Sequence, residues 1–236
     1  MTALPTRRLV LVFAAAFALC LLLLLFPLGL ALSLSPLPTQ GFYARAVSGS
    51  IWAGRAYGAG FGGVPLGDLR ASLSPLALVT GKARCSFAPE TGTAGPAGAL
   101  IAARGAFAAE GVTAVVPMPP FVPGLGATLS FQDFGVSFAG DACRAASGAV
   151  TADVRMETAS LSLAGTATCA DGLLLLPLTG RTLAGDASLF VHIAGDAGYT
   201  YEIRVSGAPE TDAGLTAAGF VREGGNLVLR GEGRLQ

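Results

Sequence analysis

The sequence predicts a mainly β protein: an antiparallel meander of one-sided strands forming a curled sheet or partly open sandwich, preceded by one transmembrane helix. Three observations lead there. A charge-free run from Leu9 to Leu34 stands directly behind Arg7 and Arg8. Behind it, short segments carry apolar residues at every second position, the period of a strand with one covered face. Those segments are separated by Gly, Asp or Pro, and no stretch after Leu34 sustains a helical period for more than about a dozen residues.

The N-terminal run sets the topology. At about 1.5 Å per residue, a helix of about 20 residues crosses a hydrocarbon core of about 30 Å, so Leu9 to Leu28 suffices. Positive charge is retained in the cytoplasm, which puts Arg7 and Arg8 inside and everything after the span outside. The chain then divides into a cytoplasmic stub (1–8), an anchor with its exit (9–34), a short extended linker (35–41) holding Pro36 and Pro38, and a β-rich domain (42–236). Ala31 and Ser33 also form a cleavage pair, but the apolar region of a signal peptide is only about 7 to 15 residues. Cys20 reads as apolar filler, since Leu19 before it is too bulky for lipoprotein processing.

Fifteen basic residues balance fifteen acidic ones with no basic cluster, so the electrostatic footprint of nucleic-acid binding is missing. Three of the four cysteines lie outside the membrane run and suit an oxidising compartment, where one pair closes and one thiol is left over.

Along the chain, Leu73 to Val79 has room for a helical turn. Ala83, Cys85 and Phe87 alternate with Arg84 and Ser86, which makes Cys85 a buried free thiol. Gly92 to Gly98 is expected as a mobile loop. Val116 to Gly126 carries Pro117, Pro119, Pro120 and Pro123 and is expected as an exposed loop or edge, because proline cannot donate to a ladder. From Thr128 to Phe138 the parity slips: Leu129 and Phe131 are odd, whereas Phe134, Val136 and Phe138 are even, so Asp133 marks a bulge. Further one-sided strands hold Val150, Ala152, Val154 and Met156, then Leu161, Leu163, Ala167 and Cys169. Leu189, Val191 and Ile193 follow, then Tyr199, Tyr201, Ile203 and Val205. Glu223 to Asn226 reads as a hairpin loop.

Two stretches say more than composition does. Val47 to Ala56 contains Gly49, the only tryptophan, Trp52, and Gly54; Pro65 to Gly81 contains Leu66, Gly67, Leu69 and Pro75. In this order behind an N-terminal anchor they resemble the type II secretion system protein N family, whose members show a G-x-[IL]-W-x-G element followed by an L-G-x-L-x-x-x-L-x-P-x-x-L element. The stretches Cys143 to Gly148 and Leu163 to Gly172 look like later cysteine-containing segments of that family. Where members often carry a second tryptophan in the L-G-x-L element, this chain has Ala71 and Ser72. In the residues themselves, Gly49 and Gly54 allow close backbone approach on either side of Trp52, which reads as core, with a partner-binding hot spot as the alternative. Cys143 and Cys169 each border a strand, with about two strands' worth of residues between them, a separation that suits a disulfide; Cys85 competes for either partner.

His192, the single histidine, shares a strand face with Ser188 and Phe190 and reads as structural. No nucleophile elbow, phosphate loop, dinucleotide fingerprint or paired-cysteine metal motif occurs, so no catalytic residue, metal or cofactor is expected. The resemblance implies an inner-membrane-anchored component whose periplasmic domain contacts other type II secretion components, the inner-membrane platform or the secretin. One-sided strands also leave a second reading, a lipid carrier of the AsmA type with acyl chains on the apolar face of its sheet.

Overall fold

The computed structural model of the chain describes residues 10–14, 17, 21, 25–35, 37–90, 95–118, 126–155, 160–182, 185–206, 215–216 and 219–234. Its strands form one open antiparallel sheet. The first half comprises β1 (Phe42–Tyr43), β2 (Ala46–Ser50), β3 (Ala53–Phe61), β4 (Val64–Leu73), β5 (Ala83–Pro89), β6 (Ala97–Ala103), β7 (Ala106–Met118) and β8 (Gly126–Ala139). The second comprises β9 (Ala142–Arg155), β10 (Ser160–Thr166), β11 (Thr168–Ala170), β12 (Leu173–Thr182), β13 (Gly185–Ile193), β14 (Gly198–Val205), β15 (Val221–Glu223) and β16 (Asn226–Arg234). Most strands lie beside their sequence neighbours. The departures are that β1 and β2 both pair with β3, β10 and β11 both pair with β12, and β16 inserts between β14 and β15.

The expected alternation places the core. Val150 and Leu178 are each 1% exposed, and Leu163, Ala167, Leu174, Leu176 and Ala187 are buried on the same side of β9 to β13. Leu129, Phe131, Phe134 and Phe138 of β8 pack against them. Burial this deep on a single sheet requires the sheet to curl over itself. A smaller cluster of Ala56, Ala59 and Leu69 lies on β3 and β4, with Phe42, Ala44 and Leu66 against it.

A belt of bulges bends the longest strands. Gly111 (φ +59), Asp133 (φ +48) and Gly148 (φ +98) sit at neighbouring positions of β7, β8 and β9. The pairing shifts register between Ala109 and Ala114 and between Gln132 and Gly135. The expected slip at Asp133 is therefore a bulge. It also returns Phe134, Val136 and Phe138 to the face of Leu129 and Phe131, because one inserted residue cancels one step of the pleat.

Other expectations change. Residues 10–14, 17 and 21 are helical, and among the described residues no helix is long and apolar enough to cross a membrane. The end of the apolar run docks on the sheet. Helix α1 (Leu28–Leu34) sets the Leu28 side chain against Gly54, and Pro27 bridges to Ser50. Pro38–Gln40 is a 3-10 turn rather than extended linker, started by Pro38 and stopped by Gly41 at φ +95. Val116 and Pro117 belong to β7 and pair with Leu129 and Thr128. Proline is tolerated there because β6 pairs with β7 only as far as Thr113, which leaves the other side of the Pro117 segment as a local edge. Ala97 and Gly98, expected in a loop, begin β6. Helix α2 (Pro75–Val79), capped by Ser74, is the helical turn expected between Leu73 and Val79. Cys20, Pro119, Pro120, Pro123 and Met156 lie outside the described residues.

Candidate functional site

The meander gathers the turns 51–52, 104–105, 140–141, 171–172 and 194–197, together with α2, at one end of the sheet. The stretches that stood out in the sequence meet there. Gly49 (φ +83) pairs with Gly54 across the hairpin of β2 and β3, and a Cβ on Gly49 would collide with the Ala53 carbonyl oxygen. Gly54 has no room for a side chain either, since Leu28 of α1 and the Ser50 carbonyl oxygen occupy the space. Trp52 is half-buried in the two-residue turn between these strands, and neither core cluster includes it. The smaller core on β3 and β4 is built from Leu69, Ala56 and Ala59.

The second motif takes the chain from the far end of β4 back to this one. Leu66 packs against the smaller cluster and Leu69 is 7% exposed within it. Gly67 (φ +81) sits at a register shift between β3 and β4, where only glycine adopts that backbone without strain. Asp68 Oδ1 accepts from the Gly58 N–H at 2.7 Å and holds the irregularity in place. Pro75 opens α2, where its missing N–H has no helical partner to lose.

Cys143 of β9 and Cys169 of β11 are disulfide-bonded, with Cα atoms 5.7 Å apart, and Cys85 remains a half-buried thiol whose pKa is pushed up by burial. The bond lies at the turn end, where backbone hydrogen bonds join strands that are not sheet neighbours. The Cys143 N–H donates to the Gly172 carbonyl at 2.7 Å, and the Gly195 N–H reaches across β9 to β13 to donate to the Asp141 carbonyl at 3.2 Å. A Cβ on Gly195 would stand 2.5 Å from the Asp141 Cα, so this approach requires glycine. The apolar face is thus a trough pinched at the turn end. Between the two core clusters it is partly open: Leu100 and Phe107 lie on the core face at 40% and 46% exposure.

A feature that the sequence reading missed is a repeated pairing of tyrosine with glycine on facing strands. Tyr43 lies over Gly60, Tyr201 over Gly231 and Tyr199 over Gly233, each pair in register. A Cβ on Gly231 would stand 2.5 Å from the Tyr201 ring. The aromatic ring covers backbone that has no side chain of its own. The detectable signal was glycine at alternate positions of one strand and tyrosine at alternate positions of another.

The outer face carries charge. Arg230 donates to both carboxylate oxygens of Glu223, at 2.6 and 2.8 Å, and to Glu202 at 2.6 Å. Arg204 also binds Glu202 and lies 5.9 Å over the Phe190 ring. The Arg230 hydrogen bonds hold both glutamates below the usual carboxylate range. His192, half-buried on the face of Ser188 and Phe190, lines a shallow depression beside this network with Thr200 and Glu232. Among the described residues no group of three His, Cys, Asp or Glu side chains could hold a metal ion.

The family model described as "Type II secretion system (T2SS), protein N" matches residues 40–230, from β1 into β16. Neither the curated proteins nor the solved structures returned a match.

Proposed function

The chain belongs to the type II secretion system protein N family, and from that premise we propose that it is an inner-membrane-anchored accessory component of the secretion machinery that works by protein contact. The observation that carries this reading is the extent of the match, which takes in nearly the whole sheet rather than one motif. Residues 9–34 serve as the anchor and its exit, with Leu9 to Leu28 about 30 Å long as a helix. Residues 1–8 are cytoplasmic and the sheet is periplasmic.

The contact elements are strand edges. Beyond Val228, β16 has β14 on one side and no strand on the other among the described residues, because β15 pairs only with Asn226 to Val228. The Pro117 segment of β7 is a second edge, with Val115 66% exposed beside it. Such edges accept a partner's strand through backbone hydrogen bonds. Photocrosslinkers placed in cells at Glu232, exposed on β16, and at Val115 test this. Recovery of secretin or inner-membrane platform subunits supports the reading, and their absence alongside unimpaired secretion refutes it.

The exposed Leu100 and Phe107 on the core face favour a second reading, a lipid-carrying trough. Native mass spectrometry of the full chain released from detergent micelles distinguishes the two: stoichiometric phospholipid indicates a carrier.

A further inference from the structure

Helix α2 is closed at both ends by its own hydrogen bonds but buries none of its apolar residues. Ser74 caps its start by accepting from the Ala77 N–H, and the N–H groups of Thr80 and Lys82 close its end on the Ala77 carbonyl. Leu76 and Val79 are nevertheless 80% and 86% exposed, and Leu78 is 41% exposed. Leucine and valine held outward on a fixed turn are a contact surface.

The hydrogen bonds around α2 say what it contacts. The Ile51 N–H donates to the Phe26 carbonyl at 3.0 Å, and the Leu73 N–H donates to the Ile51 carbonyl at 2.8 Å. Two backbone hydrogen bonds therefore separate Phe26, in the apolar N-terminal run, from the residue that leads into α2. Adjacent strands lie about 4.8 Å apart, so Phe26, the Ile51–Trp52 turn and α2 sit side by side at the same end of the sheet. The headgroup layer on either side of a hydrocarbon core is about 5–7 Å thick, comparable to the length of α2. Lys82, the only lysine, follows α2 and is exposed, and Trp52 lies in the neighbouring turn. Leucine and valine beside tryptophan and lysine is the composition of a surface that rests in a bilayer interface.

Resting on the anchored reading above, we propose that α2 is a membrane-docking foot: Leu76 and Val79 dip into the outer leaflet beside the anchor, with Trp52 at headgroup level and Lys82 against anionic lipid phosphate. The foot adds a second attachment beside the anchor, which fixes the tilt of the sheet and directs its other end away from the membrane.

The single tryptophan makes the test direct. The full chain is reconstituted in vesicles of phosphatidylethanolamine and phosphatidylglycerol, with bromine placed either high or deep on the acyl chains. Trp52 emission should be quenched by the shallow bromines more than by the deep ones. The Leu76→Asp/Val79→Asp variant should lose most of that quenching with unchanged far-UV circular dichroism. Moving the probe onto the foot, in a Trp52→Phe/Val79→Trp variant, should give quenching at least as strong as that of the wild type. A protein that resists carbonate extraction while neither probe is quenched overturns the foot and leaves the anchor standing. A protein that carbonate removes, with no quenching, overturns both.

Discussion

The Cys143–Cys169 crosslink closes a loop with a sequence separation of 26. On the chain-entropy model a loop of that length stabilises the fold by about 3.5 kcal/mol. Cys143 is buried, Cys169 packs against the same core and the bond lies at the turn end, so reduction should release the turn end before the rest of the sheet. The assay is equilibrium urea unfolding of the full chain in detergent micelles, followed by far-UV circular dichroism, for oxidised and reduced wild type and for a Cys143→Ala/Cys169→Ala variant. With a slope of about 2 kcal/mol/M, the midpoint of the reduced protein should fall by about 1.7 M. The reduced wild type keeps both sulfur atoms in the core, so its loss isolates the crosslink. The variant should lose slightly more, by the volume of the missing sulfurs. A difference below about 1 kcal/mol between oxidised and reduced wild type would refute the assignment of a constraint to this bond.

Three further outcomes follow from the same structure. Gly148→Ala puts a Cβ 2.5 Å from the Phe134 Cα at φ +98; backbone strain alone costs about 1–3 kcal/mol there, and thermal unfolding should show at least that loss, whereas an unchanged Tm would mean the bulge does not set the bend. Leu178→Ala, at 1% exposure, should cost about 3–5 kcal/mol by urea unfolding, and a loss below about 1 kcal/mol would show that the trough is not a packed core. The depressed pKa values of Glu202 and Glu223 give a signed pH effect: the stability they contribute is complete above the ordinary glutamate range and is lost as pH falls through their lowered values. Wild type should therefore exceed Arg230→Gln in Tm at neutral pH, and the gap should close on acidification; a gap independent of pH would assign the effect of Arg230 to packing.

Much of the fold was legible because strand alternation is a local property. The parity of Val150 and Ala152, of Leu161 and Leu163, and of Leu189 and Val191 assigned each to the covered face before any strand pairing was known. The slip at Asp133 was equally visible, since an inserted residue changes parity where it stands. The cysteine separation matched a bridge between nearby strands. The candidate surfaces were less legible. Size and flanking glycines point Trp52 to the core or to a partner contact, and its half-buried place in a two-residue turn fits neither reading alone. The prolines of Val116 to Gly126 predict an exposed loop or edge, and Pro117 lies on a local edge of β7 because β6 stops at Thr113.

By itself, the sequence determined the β class, the covered faces of β5, β9, β10, β13 and β14, the bulge in β8 and a helical turn between Leu73 and Val79, all of which depend on residues within a few positions of one another. Only the tertiary structure decided how far the sheet curls, that Gly195 meets Asp141, that Tyr199 and Tyr201 cover the glycines of β16, and that α2 stands beside Phe26. Each of those depends on the stagger between strands distant in the chain. That stagger is set by the sum of the bulges and twists between them, a quantity that no local window contains.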